Sequence, residues 1–141
     1  MKIRHLAREK VLSLLYQSEI WAETEEKTLV DSQAEIWHNF STKRLKPEAV
    51  EFVRNLYDGV LSNLVELDSL IVAHSPGWKI ERLSLITRNI LRLALWEILY
   101  EPQIPPVVSI DEAVELGKKF SDSKEAGYIN ALLEKVVHER T

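Results

Sequence analysis

Residues 84–100 have the sequence SLITRNILRLALWEILY, and this stretch decides the fold. At about 3.6 residues per turn, its leucines, isoleucines, Ala94 and Trp96 leave almost no polar face. Arg88, Arg92 and Glu97 interrupt it well short of the roughly 20 apolar residues of a membrane span. A helix that is apolar on nearly all sides must be covered by other elements. The stretch therefore predicts the central helix of an all-α protein.

The charged residues of this stretch need partners. Glu97 falls on the same arc as Leu93 and Ala94, and a buried carboxylate requires a hydrogen-bond donor or a cation. We expect a structural ion pair rather than a catalytic role for it. Arg88 and Arg92 lie one helical turn apart and need acidic groups from another helix or an external anion.

Helical spacing of apolar residues also describes most of the chain before this stretch. The predicted helices cover about residues 3–21, 29–40 and 47–74. Ser75-Pro76-Gly77 is the clearest break in the chain. We therefore place a boundary there, between an amino-terminal sub-bundle of about residues 1–75 and a carboxy-terminal sub-bundle of about residues 78–141.

The chain after the central stretch predicts two further helices. Ser109, followed three residues later by Glu112, matches a capping box that starts a helix. Ser121 or Ser123 is predicted to cap the last helix. With a short helical turn near Trp78, the chain is expected to form one all-α domain of about seven helices in two packed sub-bundles.

The composition narrows the range of functions. The chain has no cysteine, and its four histidines lie far apart, so no disulfide and no metal site is expected. It contains no glycine-rich phosphate loop and no nucleophile motif, and we therefore expect neither an enzyme nor a bound cofactor. The amino end has no apolar segment of the signal-peptide kind, which predicts a cytoplasmic protein without membrane contact.

Charge is unevenly distributed although the net charge is only −4. Residues 1–10 are rich in cations, and residues 19–35 are rich in acids. Arg4 and Arg8 lie one turn apart where the helix macrodipole disfavours cations by roughly 0.3–1 kcal/mol per site. Two interpretations stay open: solvated side chains that cover apolar surface, or a patch that binds phosphate groups.

Several segments of the chain carry a familiar pattern. They are Ala7-Arg8-Glu9, RNILRLALWE at 88–97, Ile104-Pro105, VSIDEAVELGKKF at 108–120 and YINALLE at 128–134. In this order they resemble the NusB family of bacterial transcription antitermination factors. The similarity covers nearly the whole chain and is weakest over about residues 22–75.

The resemblance implies a function without catalysis. Members of this family pair with NusE, which is also a small-subunit ribosomal protein, and the pair binds the single-stranded boxA element of nascent RNA. With other Nus factors they keep RNA polymerase elongating, chiefly across ribosomal RNA operons. Homodimers occur in parts of the family, and both monomer and dimer stay open for this chain.

The resemblance also implies site residues. RNA-binding positions carry over to Lys2, Arg4, His5 and Arg8 in the first helix and to Lys118, Lys124 and Tyr128 near the last helix. The cations would engage phosphates, and an exposed tyrosine ring can stack a base. Partner-binding positions carry over to Tyr16, Thr87 and Arg88, which would face NusE.

The chain departs from the family at three of these places. His5 and Leu6 stand where basic residues are common, Gly127 stands where a lysine is frequent, and Thr87 replaces a frequent acidic residue. Fewer phosphate contacts predict a shallower salt dependence, and we expect weak RNA binding in the absence of the partner.

Two other interpretations belong beside this one. In the first, the chain is a helical protein-interaction module whose amino-terminal cations meet an acidic partner and touch no RNA. In the second, it resembles the NusB-like domain that precedes some RNA cytosine methyltransferases. No methyltransferase domain is present in these 141 residues, and we therefore expect the separate factor.

Overall fold

The computed structural model describes residues 2–75 and 82–140, with side chains from Arg4 onward. Within these residues lie α1 (Lys2–Glu25), α2 (Leu29–His38), α3 (Pro47–Ser62), α4 (Leu64–Ala73), α5 (Leu85–Tyr100), α6 (Pro106–Phe120) and α7 (Ser123–Arg140). No strand occurs in the described ranges, which confirms the all-α prediction. The predicted break at Pro76-Gly77 and the predicted turn near Trp78 lie outside the described residues.

The amino-terminal unit, Met1–Ser62, contains α1, α2 and α3. The apolar stripe predicted for α1 is buried at Ala7, Val11, Leu14 and Leu15. Ser18 on α1 and Tyr57 on α3 share a buried hydrogen bond of 2.6 Å. Burial raises the pKa of Tyr57 above its ordinary value, and the hydrogen bond with Ser18 opposes that shift. The stripe and this bond fix α1 against α3.

The turn between α1 and α2 is determined by local geometry. Glu26 adopts a left-handed conformation with φ of 54°, which ends α1. Thr28 then caps α2 in a reciprocal capping box: the Asp31 backbone N donates to Thr28 Oγ1 at 3.2 Å, and the Thr28 backbone N donates to Asp31 Oδ2 at 3.0 Å. These bonds hold the pKa of the Asp31 carboxyl below its usual value.

The carboxy-terminal unit, Asn63–Thr141, is built on α5, which packs against α4, α6 and α7. Ser84 caps α5 by accepting a 3.1 Å bond from the Thr87 backbone N. Every residue from Asn89 to Leu95 is buried, as expected for a central helix. The last turn is less covered, because Trp96 is half-buried and Tyr100 is exposed.

Buried polar groups connect α5 to its neighbours. Arg92 donates from Nε and Nη2 to the two carboxylate oxygens of Asp68 on α4, at 2.7 and 2.9 Å, and from Nη1 to Asn89 at 3.0 Å. Glu97 accepts a 3.0 Å bond from Ser109 Oγ on α6. The partners that the sequence required for Arg92 and Glu97 therefore come from α4 and α6.

The single helix predicted over residues 47–74 is wrong. The structure has α3 and α4, separated at Asn63, whose φ of −126° and ψ of 24° depart from helical values. Asparagine competes for backbone hydrogen bonds and favours such breaks. The division between the two units falls before α4, whereas the sequence placed its boundary after about residue 75. The Asp68–Arg92 pair, which ties α4 to α5, accounts for this difference.

Two predicted helix caps are also wrong. α6 begins at Pro106 rather than after Ser109, because proline at the first position has its φ preset and needs no hydrogen-bond acceptor. Ser109 is instead a buried donor to Glu97. The cap of α7 is Asp122, whose Oδ1 accepts a 2.7 Å bond from the Glu125 backbone N, rather than Ser121 or Ser123.

Candidate functional site

The first predicted site lies at the amino end of α1. Arg4 is exposed, and its guanidinium carbon lies 5.4 Å from the centroid of the Phe52 ring on α3. His5 Nε2 lies 3.2 Å from Glu9 Oε2, so part of its charge is compensated when it is protonated. Lys2 belongs to α1, but its side chain lies outside the described part of the chain. The described cation that this surface offers most openly to solvent is Arg4.

Arg8 occupies a different environment from Arg4. Its side chain is only 1% exposed, and its guanidinium carbon also lies 5.4 Å from the Phe52 centroid. Arginine over an aromatic face is stabilised by the ring quadrupole. This burial does not fit a direct phosphate contact, and Arg8 instead supports the ring against which Arg4 packs.

The second predicted site lies where α7 begins. Besides its bond to Asp122, Glu125 accepts a 3.1 Å bond from Thr87 Oγ1, which joins the first turn of α7 to α5. Tyr128, one turn further along α7, is half-buried, and its hydroxyl is hydrogen-bonded to Ser75 Oγ. The ring of Tyr128 is therefore held at its far end.

A pocket of about 380 Å³ opens beside Tyr128. Its lining residues are Arg82, Leu83, Ser84, Ser121, Asp122, Lys124, Glu125 and Tyr128. The two carboxylates in this lining already accept the hydrogen bonds described above. Arg82 and Lys124 are exposed, and neither has an ion pair with another residue in the described ranges. Two available cations beside an aromatic ring suit a ligand that combines a phosphate with a flat ring.

The structure brings Lys124 and Tyr128 together but leaves Lys118 apart from them. Lys118 is exposed in the last turn of α6, lies 3.7 Å from Glu115 Oε1 and does not line the pocket. Sequence reasoning missed Arg82, since no motif marks it. Its position just before the Ser84 cap of α5 was the available signal, because that helix start lies next to the start of α7.

The predicted partner-binding residues also differ in exposure. Tyr16 is 41% exposed and lines a largely apolar groove of about 420 Å³. The other lining residues of this groove are Gln17, Ile20, Trp21, Thr24, Glu25 and Ile36. Thr87 is fully buried and bonded to Glu125, so a direct partner contact through Thr87 does not fit the structure. Arg88 is half-buried and donates a 3.3 Å bond to the Leu83 carbonyl.

Over the described ranges, no group of three or more histidine and carboxylate side chains is placed to hold a metal ion. None of the described helices is long and apolar enough to span a membrane. Among the described residues, the pocket beside Tyr128 and the groove beside Tyr16 are two concave surfaces.

Comparison with known proteins gives a consistent result. The NusB family model matches residues 5–138. The transcription antitermination protein NusB of Myxococcus xanthus is 43% identical over 136 residues, which cover 96% of this chain and 95% of that protein. The protein of the same name from Elusimicrobium minutum is 36% identical over 138 residues, covering 97% of this chain and 94% of its own length.

Solved structures extend the similarity to three dimensions. T. maritima NusB superimposes with a TM-score of 0.83 at 32% identity, covering 96% of this chain and 91% of that one. A chain from the crystal structure of antitermination factors NusB and NusE in complex with double-stranded RNA has a TM-score of 0.75 at 25% identity, with 96% of both chains covered.

Proposed function

The chain belongs to the NusB family, and we propose that it binds boxA RNA through the pocket beside Tyr128 and the exposed amino end of α1 when it is paired with NusE. It is a transcription antitermination protein. The observation that carries the proposal is the pocket, which Arg82 and Lys124 line together with Tyr128.

The pocket suits a nucleotide whose base is not held in a duplex. Its volume of about 380 Å³ lies near the lower end of the roughly 300–1,000 Å³ that small-ligand sites occupy. Single-stranded RNA presents unstacked bases that can lie on an aromatic side chain while cations engage the phosphates. Because Ser75 holds the Tyr128 hydroxyl, little ring entropy is lost when a base stacks.

The amino end of α1 supplies a second cationic surface. Arg4 is exposed there, while Arg8 and Phe52 form the support behind it. An exposed cation at a helix amino end is disfavoured by the macrodipole, so helix stability does not account for Arg4. We propose that Arg4, with Lys2 and His5, contacts the RNA backbone, and that Arg8 positions Arg4 rather than binding RNA itself.

The groove beside Tyr16 is the surface that we assign to NusE. Its exposed Tyr16 and Ile20 can be buried by a partner, and one of the similar solved structures contains NusB and NusE together with RNA. Arg88 is assigned to the same partner. We propose a purely binding role in the cytoplasm, where the pair joins other Nus factors and RNA polymerase during ribosomal RNA transcription.

Fluorescence anisotropy of a labelled boxA RNA tests the proposal. The protein is titrated alone and with its cognate NusE at two salt concentrations, with single-stranded and double-stranded forms of the RNA. We expect weak binding by the protein alone and tighter, salt-sensitive binding with NusE. Arg4→Ala should weaken RNA binding without weakening NusE pairing, and Lys135→Ala, an exposed cation on α7 that lines neither the pocket nor the groove, is the matched control. NusE pairing without any RNA binding would leave a protein-interaction module.

Gly127→Lys is expected to strengthen RNA binding. Gly127 is exposed, and a Cβ added there would meet nothing within 4 Å, so the position has room for the start of a side chain. The added cation would lie next to Tyr128 and can make one more phosphate contact, which steepens the plot of log K against log salt by about 0.7. Gly127→Gln is the uncharged control, and an equal gain in both variants would contradict the electrostatic explanation.

A further inference from the structure

We propose that the loop between α2 and α3 binds the phosphates of RNA that flanks boxA. The loop carries Lys43, Arg44 and Lys46, which we call the basic loop. The inference rests on the proposed function and extends it. It gives the amino-terminal unit a second RNA-binding element, and it predicts that the complex contacts RNA beyond the boxA element.

Contacts within the amino-terminal unit place the basic loop near the exposed end of α1. Arg4 and Arg8 on α1 pack on Phe52, and further along both helices Ser18 bonds to Tyr57. Helices α1 and α3 therefore run in the same general direction, with their amino ends at the same end of the unit. From Lys46 to Phe52 the rise along α3 is about 9 Å. That rise is slightly longer than the Debye length of about 8 Å at physiological salt, so the two cationic elements act as neighbouring but separate contacts for one RNA strand.

The basic loop has a defined backbone and exposed side chains. The Leu45 backbone N donates to the Thr42 carbonyl at 3.0 Å, and the Lys46 carbonyl accepts from Val50 at 3.0 Å as α3 begins. Lys43, Arg44 and Lys46 are all exposed. Over the described residues, none of the three has an ion pair or a hydrogen bond from its side chain.

Charges within the amino-terminal unit do not explain why three cations lie together in the basic loop. Three like charges lie within one short turn that leads into the amino end of α3, where the macrodipole favours anions. The nearest acids along the chain, Glu48 and Glu51, are exposed on α3 and form no ion pair with the loop. The turn between α1 and α2 collects acids instead, so the unit has a cationic end and an acidic end. A polarised surface of this kind attracts a polyanion to one end.

The chemistry of the loop favours the RNA backbone over bases. The aromatic side chain of the loop, Phe40, is half-buried and packs on the Trp37 ring of α2, with ring centroids 5.3 Å apart, so it is not presented to a base. Flexible lysines act as point charges for phosphates. Contacts with phosphates do not depend on the RNA sequence, so the basic loop can bind nucleotides that flank the boxA element. Because each contact with single-stranded nucleic acid adds about 0.7 to the salt slope, three contacts add about 2.

The test compares a boxA RNA with the same RNA extended by ten nucleotides on each side, both bound to the protein–NusE complex. The variant is Lys43→Gln with Arg44→Gln and Lys46→Gln, which changes only exposed side chains. The control is Lys27→Gln with Lys135→Gln and Arg140→Gln, three exposed cations whose removal changes the net charge equally. Because Lys27 Nζ lies 5.9 Å from the ring centroid of Trp21 in the groove assigned to NusE, NusE pairing of both variants is measured first. Circular dichroism tests whether both variants unfold at the wild-type temperature, as expected for changes at exposed side chains.

We expect the wild-type complex to prefer the longer RNA, and the loop variant to lose that preference while it binds the boxA RNA normally. The preference should be about 15-fold larger at 50 mM than at 200 mM salt, since a slope difference of about 2 acts over that range. Equal binding of the longer RNA by the wild type and the loop variant would overturn the inference, as would an equal loss in the control. Failure of the wild type to bind even the boxA RNA would overturn the proposed function as well.

Discussion

Asp68→Ala is expected to lower the free energy of unfolding by about 3 kcal/mol. Arg92 is only 4% exposed, and two of its nitrogens donate to the Asp68 carboxylate at 2.7 and 2.9 Å. Removing one member of a buried pair leaves a charge that the interior solvates poorly, which costs about 3–5 kcal/mol. The lower figure applies here because Asp68 itself is 29% exposed. Urea denaturation with linear extrapolation measures the change.

Substitution of Asp68 and substitution of Arg92 should lower the free energy of unfolding by different amounts. Arg92→Met is expected to cost less than Asp68→Ala, because the carboxylate left behind is partly exposed and can be hydrated. Glu115→Ala removes the exposed Lys118 pair and should change stability by no more than about 0.5 kcal/mol. If Asp68→Ala cost no more than Glu115→Ala, the pair would not hold α4 to α5.

The sequence was sufficient to predict that Arg92 and Glu97 need partners, but not which residues these are. The need follows from the apolar surroundings of both side chains within one helix. The partners come from α4 and α6, and their identity depends on how the helices pack. Ser109 illustrates the difficulty, because its local pattern matches a helix cap and its packing makes it a buried donor to Glu97.

At the candidate site, too, the sequence predicts which residues are charged but not how each of them is packed. Spacing places Arg4 and Arg8 on one side of α1, but Phe52 of α3 determines that Arg8 is buried while Arg4 stays exposed. Arg82 was missed because its relation to Tyr128 exists only once α5 and α7 are packed together. Helix type and apolar faces follow from local periodicity, whereas exposure and pairing of charged side chains follow from tertiary structure.

Tyr128→Ala is expected to weaken binding of boxA RNA to the protein–NusE complex by roughly 10-fold to 100-fold. Loss of a stacked base costs about 1–3 kcal/mol, and the ring of Tyr128 forms one wall of the pocket. Tyr128→Phe keeps the ring and removes the hydroxyl that bonds to Ser75, so its loss of affinity should be smaller. Tyr100→Ala is the matched control, because Tyr100 is an exposed tyrosine of the same unit that does not line the pocket.

The salt dependence separates stacking from phosphate binding at this pocket. Tyr128 carries no charge that pairs with a phosphate, so Tyr128→Ala should lower affinity without changing the slope of log K against log salt. Lys124→Gln should instead reduce that slope by about 0.7, because one phosphate contact is lost. Fluorescence anisotropy at several salt concentrations measures both quantities. If Tyr128→Ala left the affinity at the wild-type value, base stacking at the start of α7 would be excluded, and the pocket would bind RNA through its cations alone.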